Sequence, residues 1–292
     1  MSIQLQYHKP GSIQTALWDA ALQLCHNGNV YAQSIYLSTM CPTWAAITTP
    51  HMEYLMPIPI KYKLGVAYIP SIPFVQQLGI YSPYTITPSI CNSFKQIIQR
   101  RLLYGDVYFN NANPVTFGVQ QCNYVLPLQH SYQVLYHNFK QDAKKDIYSN
   151  PNLIIKNTTP STAIHFFKEH IGSRIPHVLP THYIALTHLA ELLALTAHSQ
   201  SIAVYSKGVL VATALLFFYN NTIYNIANAV SPEGKKIKAN HQLINHIIHT
   251  YAGNKYTLDF EGSDIPGIAN FYKQFGAVNV PYAYYKRRPL GS

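Results

Sequence analysis

Between Leu258 and Ala277 the sequence LDFEGSDIPGIANFYKQFGA changes from strand spacing to helix spacing across one short turn. Leu258, Asp259 and Phe260 read as the end of a buried strand, and Glu261-Gly262-Ser263-Asp264 as a tight, polar turn. Ile265, Ile268, Phe271 and Phe275 then recur at helical spacing. They predict the apolar face of a short helix, with Ser263 or Asp264 as its cap and Pro266 in its first turn. On spacing alone this is a capped helix packed on a sheet, so the rest of the chain has to supply the sheet. The composition permits one: 48% of the residues are hydrophobic and 11% charged, enough for a sizeable core and contrary to wholesale disorder. The 24 tyrosines add packing area that ends in a polar tip.

The remaining sequence alternates strand-like and helical runs. Helical spacing of Ile13, Leu17, Ala20, Ala21 and Leu24 predicts a first helix stopped by Asn27-Gly28, and a short helix follows around Ala32–Thr39. Strands are expected at Thr43–Thr48, Tyr54–Tyr62 and Val66–Ile69, the last two joined by a turn at Lys63–Gly65. Pro70–Pro83 reads as a loop or edge strand, because proline cannot donate to a ladder. Within it Gln76, Gln77 and Gly79 suit either an edge loop or the lining of a cleft between domains. A helix from Pro88 to Leu103 and strands at Asp106–Asn110 and Tyr124–Leu128 complete the first half. A helix over Ser131–Tyr148 links the halves, with a boundary near Asn123–Ser131 and domains of residues 1–128 and 129–292.

In the second half, strands are expected at Leu153–Lys156, Ser201–Tyr205, Val209–Tyr219 and Thr222–Ala229, the last two joined by a hairpin turn at Asn220-Asn221. Helices are expected at Ser161–Ile171 and Thr181–Ala197. A loop at Val230–Gly234 leads to a helix from Ile237 to Tyr251, and the chain ends with strand Tyr256–Phe260, helix Pro266–Phe275 and strand Val278–Tyr285. Hairpin, loop, long helix and strand recur in the same order from Tyr54 to Asn110 and from Val209 to Phe260, a duplication of architecture with little residue identity. The class is α/β or α+β with a mixed sheet, built as two similar domains.

A formal net charge of +10 favours anionic partners: a phosphorylated cofactor, nucleic acid or an acidic membrane surface. The basic residues are scattered, with short clusters at Lys235–Lys238 and Lys286–Arg288. Cys25, Cys41, Cys91 and Cys122 show no metal-ligand pairing and read as buried free thiols of a reducing compartment. There is no basic-then-apolar leader, and the longest apolar run, Val209 to Tyr219, is too short to span a bilayer, so a soluble cytoplasmic protein is expected. The 14 histidines are dispersed; His241, His246 and His249 on one helix read as packing or solvent-facing residues, and no metal site is expected.

The run IANFYKQFGA resembles the last helix of the GNAT (Gcn5-related N-acetyltransferase) superfamily. That resemblance implies that Tyr272 sits near the donor sulfur and protonates the leaving thiolate, work a phenol near a helix start can do. Ser231–Ile248, SPEGKKIKANHQLINHII, stands where that superfamily holds cofactor pyrophosphate at a helix N-terminus. It carries Gly234, Lys235, Lys236, Lys238 and Asn240 as candidate cofactor-binding residues, without the superfamily's usual Q/R-x-x-G-x-G/A pattern. Over nearly its full length the chain is similar to the Fem-type, peptidoglycan-aminoacyltransferase-like branch, in which two GNAT-like domains are fused. The landmarks are WDAALQLCHNGNVYAQSIYL (Trp18–Leu37), MPIPIKYK with IPSIPFVQQLGIYS (Met56–Ser82), and YVLPL with the helix after it. AKKDIYSN (Ala143–Asn150) departs from the branch's Arg-rich start there, and no heptad run marks a coiled-coil insertion.

The resemblance implies direct transfer of an acyl or aminoacyl group to an amine without a covalent enzyme intermediate. Asp259 and Glu261 would position or deprotonate the amine, and Asn228 would bond the acceptor or the acyl arm. Acyl-CoA and aminoacyl-tRNA are both open as donor. A second class of reading is a binding protein that keeps this fold and has lost catalysis, to which the unusual Gly234 segment also points.

Overall fold

The structure is a computed structural model that describes residues 3–262 and 264–288; Ser263, one of the two expected helix caps, lies outside them. In chain order it contains β1 (Gln6–His8), α1 (Thr15–Leu24), α2 (Ser34–Met40), β2 (Trp44–Thr48), β3 (Leu55–Pro59), β4 (Lys61–Lys63), β5 (Val66–Tyr68), α3 (Pro88–Arg101), β6 (Gly105–Phe109) and β7 (Val119–Gln121). There follow β8 (Tyr124–Pro127), α4 (Tyr132–His137), α5 (Gln141–Ile147), β9 (Ile154–Thr158), α6 (Pro160–Ile171), α7 (Pro180–Ala194), β10 (Ser199–Ser206), β11 (Val209–Tyr219) and β12 (Thr222–Val230). The last elements are α8 (Pro232–Lys236), α9 (Ala239–Tyr251), β13 (Thr257–Asp259), α10 (Pro266–Gln274), β14 (Val278–Asn279) and β15 (Tyr282–Arg287).

These elements form two compact units. One runs to Gln121 and takes in the segment from Pro281 onward; the other is Cys122–Val280. Strand β8, beside the expected boundary, pairs with β13 and β14 of the second unit, and β15 lies between β6 and β7 of the first. The expected strand Val278–Tyr285 is therefore two strands in two different sheets. The Val280 N–H donates to the Asn123 carbonyl (2.7 Å), and the next residue, Pro281, has no N–H with which to continue that ladder.

In the first unit β1, β2 and β3 form an antiparallel sheet, and β4 and β5 form a hairpin whose turn residues Leu64 and Gly65 both have positive φ (51° and 78°). Helix α3, capped by the Thr87 hydroxyl on the Ile90 N–H, buries Cys91, Phe94 and Ile98. Helix α1 corrects the expected face. Trp18 and Leu22 are buried while Leu17 and Leu24 are exposed, because the Trp18 indole N–H donates to the Ala32 carbonyl (2.7 Å) and its ring meets Trp44 edge-on.

The second unit is a seven-stranded mixed sheet in the order β14-β8-β13-β12-β11-β10-β9. Helices α4, α5, α9 and α10 share one core with one face of the sheet; α6 and α7 pack on β10, β11 and β12 without entering that core. The β11–β12 hairpin turns through Asn220 and Asn221, both at positive φ (42° and 59°), which asparagine tolerates. A bulge then sets Leu216 opposite Asn225 and Leu215 opposite Ala227, leaving Ile226 as the extra residue. Parallel pairing of β12 with β13 covers Thr222–Tyr224 against Thr257–Asp259 and stops where the bulge begins.

Three further expectations change here. The Ser131–Tyr148 helix is divided into α4 and α5, because Phe139 packs edge-on against Phe275 and the Lys140 N–H donates to the Gln274 carbonyl (2.9 Å). The Val230–Gly234 loop is the start of a short helix, α8, capped by Ser231. In α10 the buried face is Ala269 and Phe275 with Tyr272 beside them, while Ile265 and Ile268 are exposed.

Candidate active site

Strand β13 delivers Asp259 into the interior at 7% exposure. One carboxylate oxygen accepts the Glu261 N–H (2.9 Å) and the other the Asn123 side-chain amide (3.1 Å). Burial pushes the carboxyl from its ordinary 3.8 up to about 6, against the pull of those two donors. Glu261 has φ 67° and Gly262 φ 64°, so the chain reverses through two successive left-handed residues. For a residue with a side chain this costs on the order of 1 kcal/mol, and the Asp259–Glu261 bond offsets it. Asp264 does not cap α10: its carboxylate accepts the Cys122 N–H (3.1 Å), and the N-cap position belongs to Ile265, whose side chain cannot accept.

Tyr272 stacks on Phe260 (ring centroids 4.6 Å, interplanar 24°) and leans on Tyr124 (6.1 Å). Burial holds its hydroxyl well above the usual phenol range, and the negative charges of Glu261 and Asp259 push it further. The phenol is therefore a neutral proton carrier throughout physiological pH. Strand alternation sets Leu258 and Phe260 on the α9–α10 face and Asp259 on the opposite one. Tyr272 and Asp259 thus flank the end of β13 from its two sides. An electrostatic coupling between them requires only this proximity, and the bottom of the gap between β12 and β13 lies at the same level, since Tyr224 is Asp259's register partner.

The upstream candidates sit around α8 and α9. Gly234 is buried; a Cβ there would lie 2.3 Å from the Val211 carbonyl oxygen and 2.8 Å from Val230 Cγ2, and its N–H already donates to the Ser231 hydroxyl (3.0 Å). Lys235 is exposed, Lys236 faces Glu233 at 3.7 Å, and Lys238, left-handed at φ 61°, binds Asp146 at 2.9 Å. Asp146 also lies 3.4 Å from His241, whose proton affinity burial lowers despite that neighbour. A diphosphate fits this corner poorly: the glycine is required by packing, its amide is spent, and two of the three lysines already have carboxylates. Asn228 Nδ2 and Asn240 Oδ1 are different. Both are buried and make no hydrogen bond among the described residues.

One residue of this region escapes a reading by spacing. Asn225 is 3% exposed, and both its amide nitrogen and its amide oxygen lack a partner among the described residues. The available signal was the asparagine itself, one of two set within the largely apolar stretch TIYNIANAV. Gln77, by contrast, is buried in the first unit, its side-chain oxygen accepting the Asn111 N–H. Among the described residues no group of three or more His, Cys, Asp or Glu is placed to hold a metal, and no helix is long and apolar enough to cross a membrane.

No protein-family model matches the chain, and no curated protein matches it. Solved structures do. FemX superimposes with a TM-score of 0.66 at 12% identity, over 98% of this chain and 97% of FemX. A conserved protein of unknown function from Bacteroides thetaiotaomicron gives 0.59 at 11%, over 96% and 99%. A tandem GNAT protein from the clavulanic acid biosynthesis pathway gives 0.51 at 8%, over 97% and 98%. At such identities the likeness is one of fold, and the chain has the mixed α/β, GNAT-like fold of the Fem type.

Proposed function

We propose that the second unit transfers an acyl or aminoacyl group from a phosphorylated donor to an amine. The observation that carries this reading is the parting of β12 from β13 directly beside two groups with opposite proton chemistry, the buried Asp259 and the half-buried Tyr272. Asp259, with its affinity moved to about 6, is ionised at neutral pH yet basic enough to orient an ammonium group and draw off its proton. Tyr272 keeps its proton until a group of comparable basicity forms beside it, which suits it to protonate a departing thiolate or alkoxide. Glu261, held at the turn, adds negative potential on the acceptor side. Transfer is direct, with the amine attacking the acyl carbon while the leaving group takes the Tyr272 proton.

Acyl-CoA and aminoacyl-tRNA are the two donor classes this reading admits. The poor fit of a diphosphate at Gly234 weighs against a donor anchored there in the manner of a coenzyme A pyrophosphate. The same observation supports the second reading, a protein of this fold that binds and does not catalyse. Transfer assays with acetyl-CoA and with charged tRNA, against a panel of amines, separate them. Transfer from either donor that falls in both Tyr272→Phe and Asp259→Asn supports the enzyme. Wild-type rates in both variants sink these roles, and failure to bind either donor favours the binding protein.

A further inference from the structure

Two-residue hairpin turns with both central residues at positive φ join β10 to β11 through Lys207-Gly208, β11 to β12 through Asn220-Asn221 and β4 to β5 through Leu64-Gly65. The first two turns expose polar side chains or none; the third exposes a leucine, where turn chemistry favours Asn, Asp or Gly. Leu64 (φ 51°) is 96% exposed, and a Cβ built on Gly65 would meet nothing within 4 Å, so the tip projects into open space. An apolar side chain held left-handed in water strains the turn and gains nothing from burial. Its neighbours share this character. Tyr62, Val66 and, just after α3, Leu103 are exposed hydrophobic residues, with Lys61, Lys63, Arg100 and Arg101 exposed among them. Contacts join the two segments into one patch: Tyr68, the register partner of Lys61, stacks on Tyr104 (ring centroids 5.0 Å, interplanar 10°), and the Ile69 N–H donates to the Tyr104 carbonyl (3.2 Å). Ala67 packs on the core of the first unit, and strand alternation turns Lys61, Lys63 and Val66 the other way. The acidic residues of this unit are Asp19, Glu53 and Asp106, each already accepting a hydrogen bond, from Ser34, Thr49 and Tyr284. None lies within the patch.

We infer that the β4–β5 hairpin and the end of α3 dock on an anionic lipid bilayer, with Leu64 entering the boundary between headgroups and acyl chains. Shape and charge choose this occupant. The apolar residues crown a projecting tip, so the partner has to supply an apolar phase that yields around it, and a bilayer interface does. Tyr62, an apolar ring with a polar end, suits the headgroup level. The lysine and arginine stems lie along apolar surface while their charges meet anionic headgroups. A single-stranded nucleic acid would satisfy the cations and stack on tyrosine, but it would leave Leu64, Val66 and Leu103 in water. One inserted leucine beside four cations gives reversible attachment, not a permanent anchor. The inference goes beyond the transfer reading and does not rest on it, because no residue of the candidate active site takes part.

The experiment is flotation of the full chain with vesicles of equal parts phosphatidylglycerol and phosphatidylcholine, beside vesicles of phosphatidylcholine alone and a single-stranded oligonucleotide. Binding to the anionic vesicles alone is expected, weakening as salt rises. Leu64→Asn places at the tip a residue that the turn accepts, so it should melt no lower than wild type and yet partition about tenfold less. Lys61→Gln combined with Lys63→Gln should also lower partitioning about tenfold and flatten its salt dependence. In Leu64→Trp the added indole should emit at shorter wavelength on anionic vesicles, whereas Trp18 and Trp44 are buried and give a constant background. Vesicle binding unchanged in Leu64→Asn, an emission in Leu64→Trp that does not move, or equal binding to both vesicle types overturns the inference. Retention by the oligonucleotide without vesicle binding overturns it in favour of nucleic acid, and binding to neither overturns it outright. Transfer from dissolved donors does not enter these measurements, so the two readings fail separately.

Discussion

Asparagine is used in opposite ways in the two units. In the first, the segment from Ile69 to Tyr81 bridges to both β3 and β6: Tyr81 to Leu55, Ile69 to Gly105 and Leu78 to Phe109. Asparagines pin it there. Asn27 and Asn113 donate to the Ile80 carbonyl, Asn110 to Leu78 and Asn29 to Gln77; Asn113 also accepts the Ile80 N–H, and Asn29 accepts the Tyr81 hydroxyl. What remains beside this segment is a void of about 20 Å³ lined by Met56, Ile58, Ile72, Leu78 and Val107, room for about one water. In the second unit β12 and β13 part with no such bridging segment among the described residues, and beside the parting both amide atoms of buried Asn225 and the Nδ2 of half-buried Asn228 make no hydrogen bond among them. Paired carboxamides hold a chain in place; unpaired ones keep a capacity for something else. The difference gives the first region a scaffolding role and leaves the second with polar groups that the fold itself does not use.

The largest effect that tests this division is on turnover. Tyr272→Phe removes a proton carrier and nothing of its stacking on Phe260, so transfer should fall about a hundredfold with little change in melting temperature. Tyr81→Phe, which loses the bond to Asn29, should do the reverse: a lower melting temperature and an unchanged rate per folded molecule. Rates that respond to Tyr81 and not to Tyr272 would invert the assignment.

Gly79→Ala comes next. Gly79 has φ 92°, and a Cβ there would lie 2.4 Å from Asn113 Oδ1 and 2.9 Å from Phe109 Cα, so the substitution strains the backbone and displaces an asparagine of the network. A loss of roughly 3 kcal/mol is expected in denaturant titration. A loss under about 0.5 kcal/mol, the range of inert surface changes, would mean that the segment is not held as described.

Asp259→Asn gives an effect of similar size with a defined pH dependence. The folded-state affinity is raised from 3.8 to about 6, so the stability this group contributes is present below its ordinary value and lost as pH rises through about 6. Well above that point ionised Asp259 costs roughly 3 kcal/mol by the shift alone. Asp259→Asn should therefore melt higher than wild type at pH 8 and equally at pH 4, while transferring more slowly. A gain that is the same at both values would remove burial of the charge as its cause.

These outcomes depend on features that were legible to different degrees. The apolar run Val209–Tyr219 and the pair Asn220-Asn221 announce the β11–β12 hairpin, because a strand's pattern and its turn chemistry are local. The strand and helix from Leu258 onward could be read for the same reason, while Tyr272 stands out through the resemblance of IANFYKQFGA to a known helix and not through any local period. Long-range packing set the remainder. The buried side of α1 follows a tryptophan that needs a carbonyl across the chain, the split between α4 and α5 follows Phe275, and the place of β15 follows a choice of partner strand that no local period encodes. Asn225 belongs with these. Spacing sets it on the face opposite Asn228, and only the register against β11 reveals the bulge that brings the two together.

The smallest effect is also the sharpest comparison, because it applies one substitution to both kinds of asparagine. Asn113→Leu strands the Ile80 N–H and deprives its carbonyl of one donor, so a loss of about 2 kcal/mol is expected. Asn225→Leu strands nothing, and its side chain faces the same core as Leu216, so the expected change lies between zero and a gain of about 1 kcal/mol. Equal losses at the two positions would show that Asn225 has a structural partner and would dissolve the contrast. Opposite signs would mean that the chain carries a buried, unpaired carboxamide at a cost to its own stability.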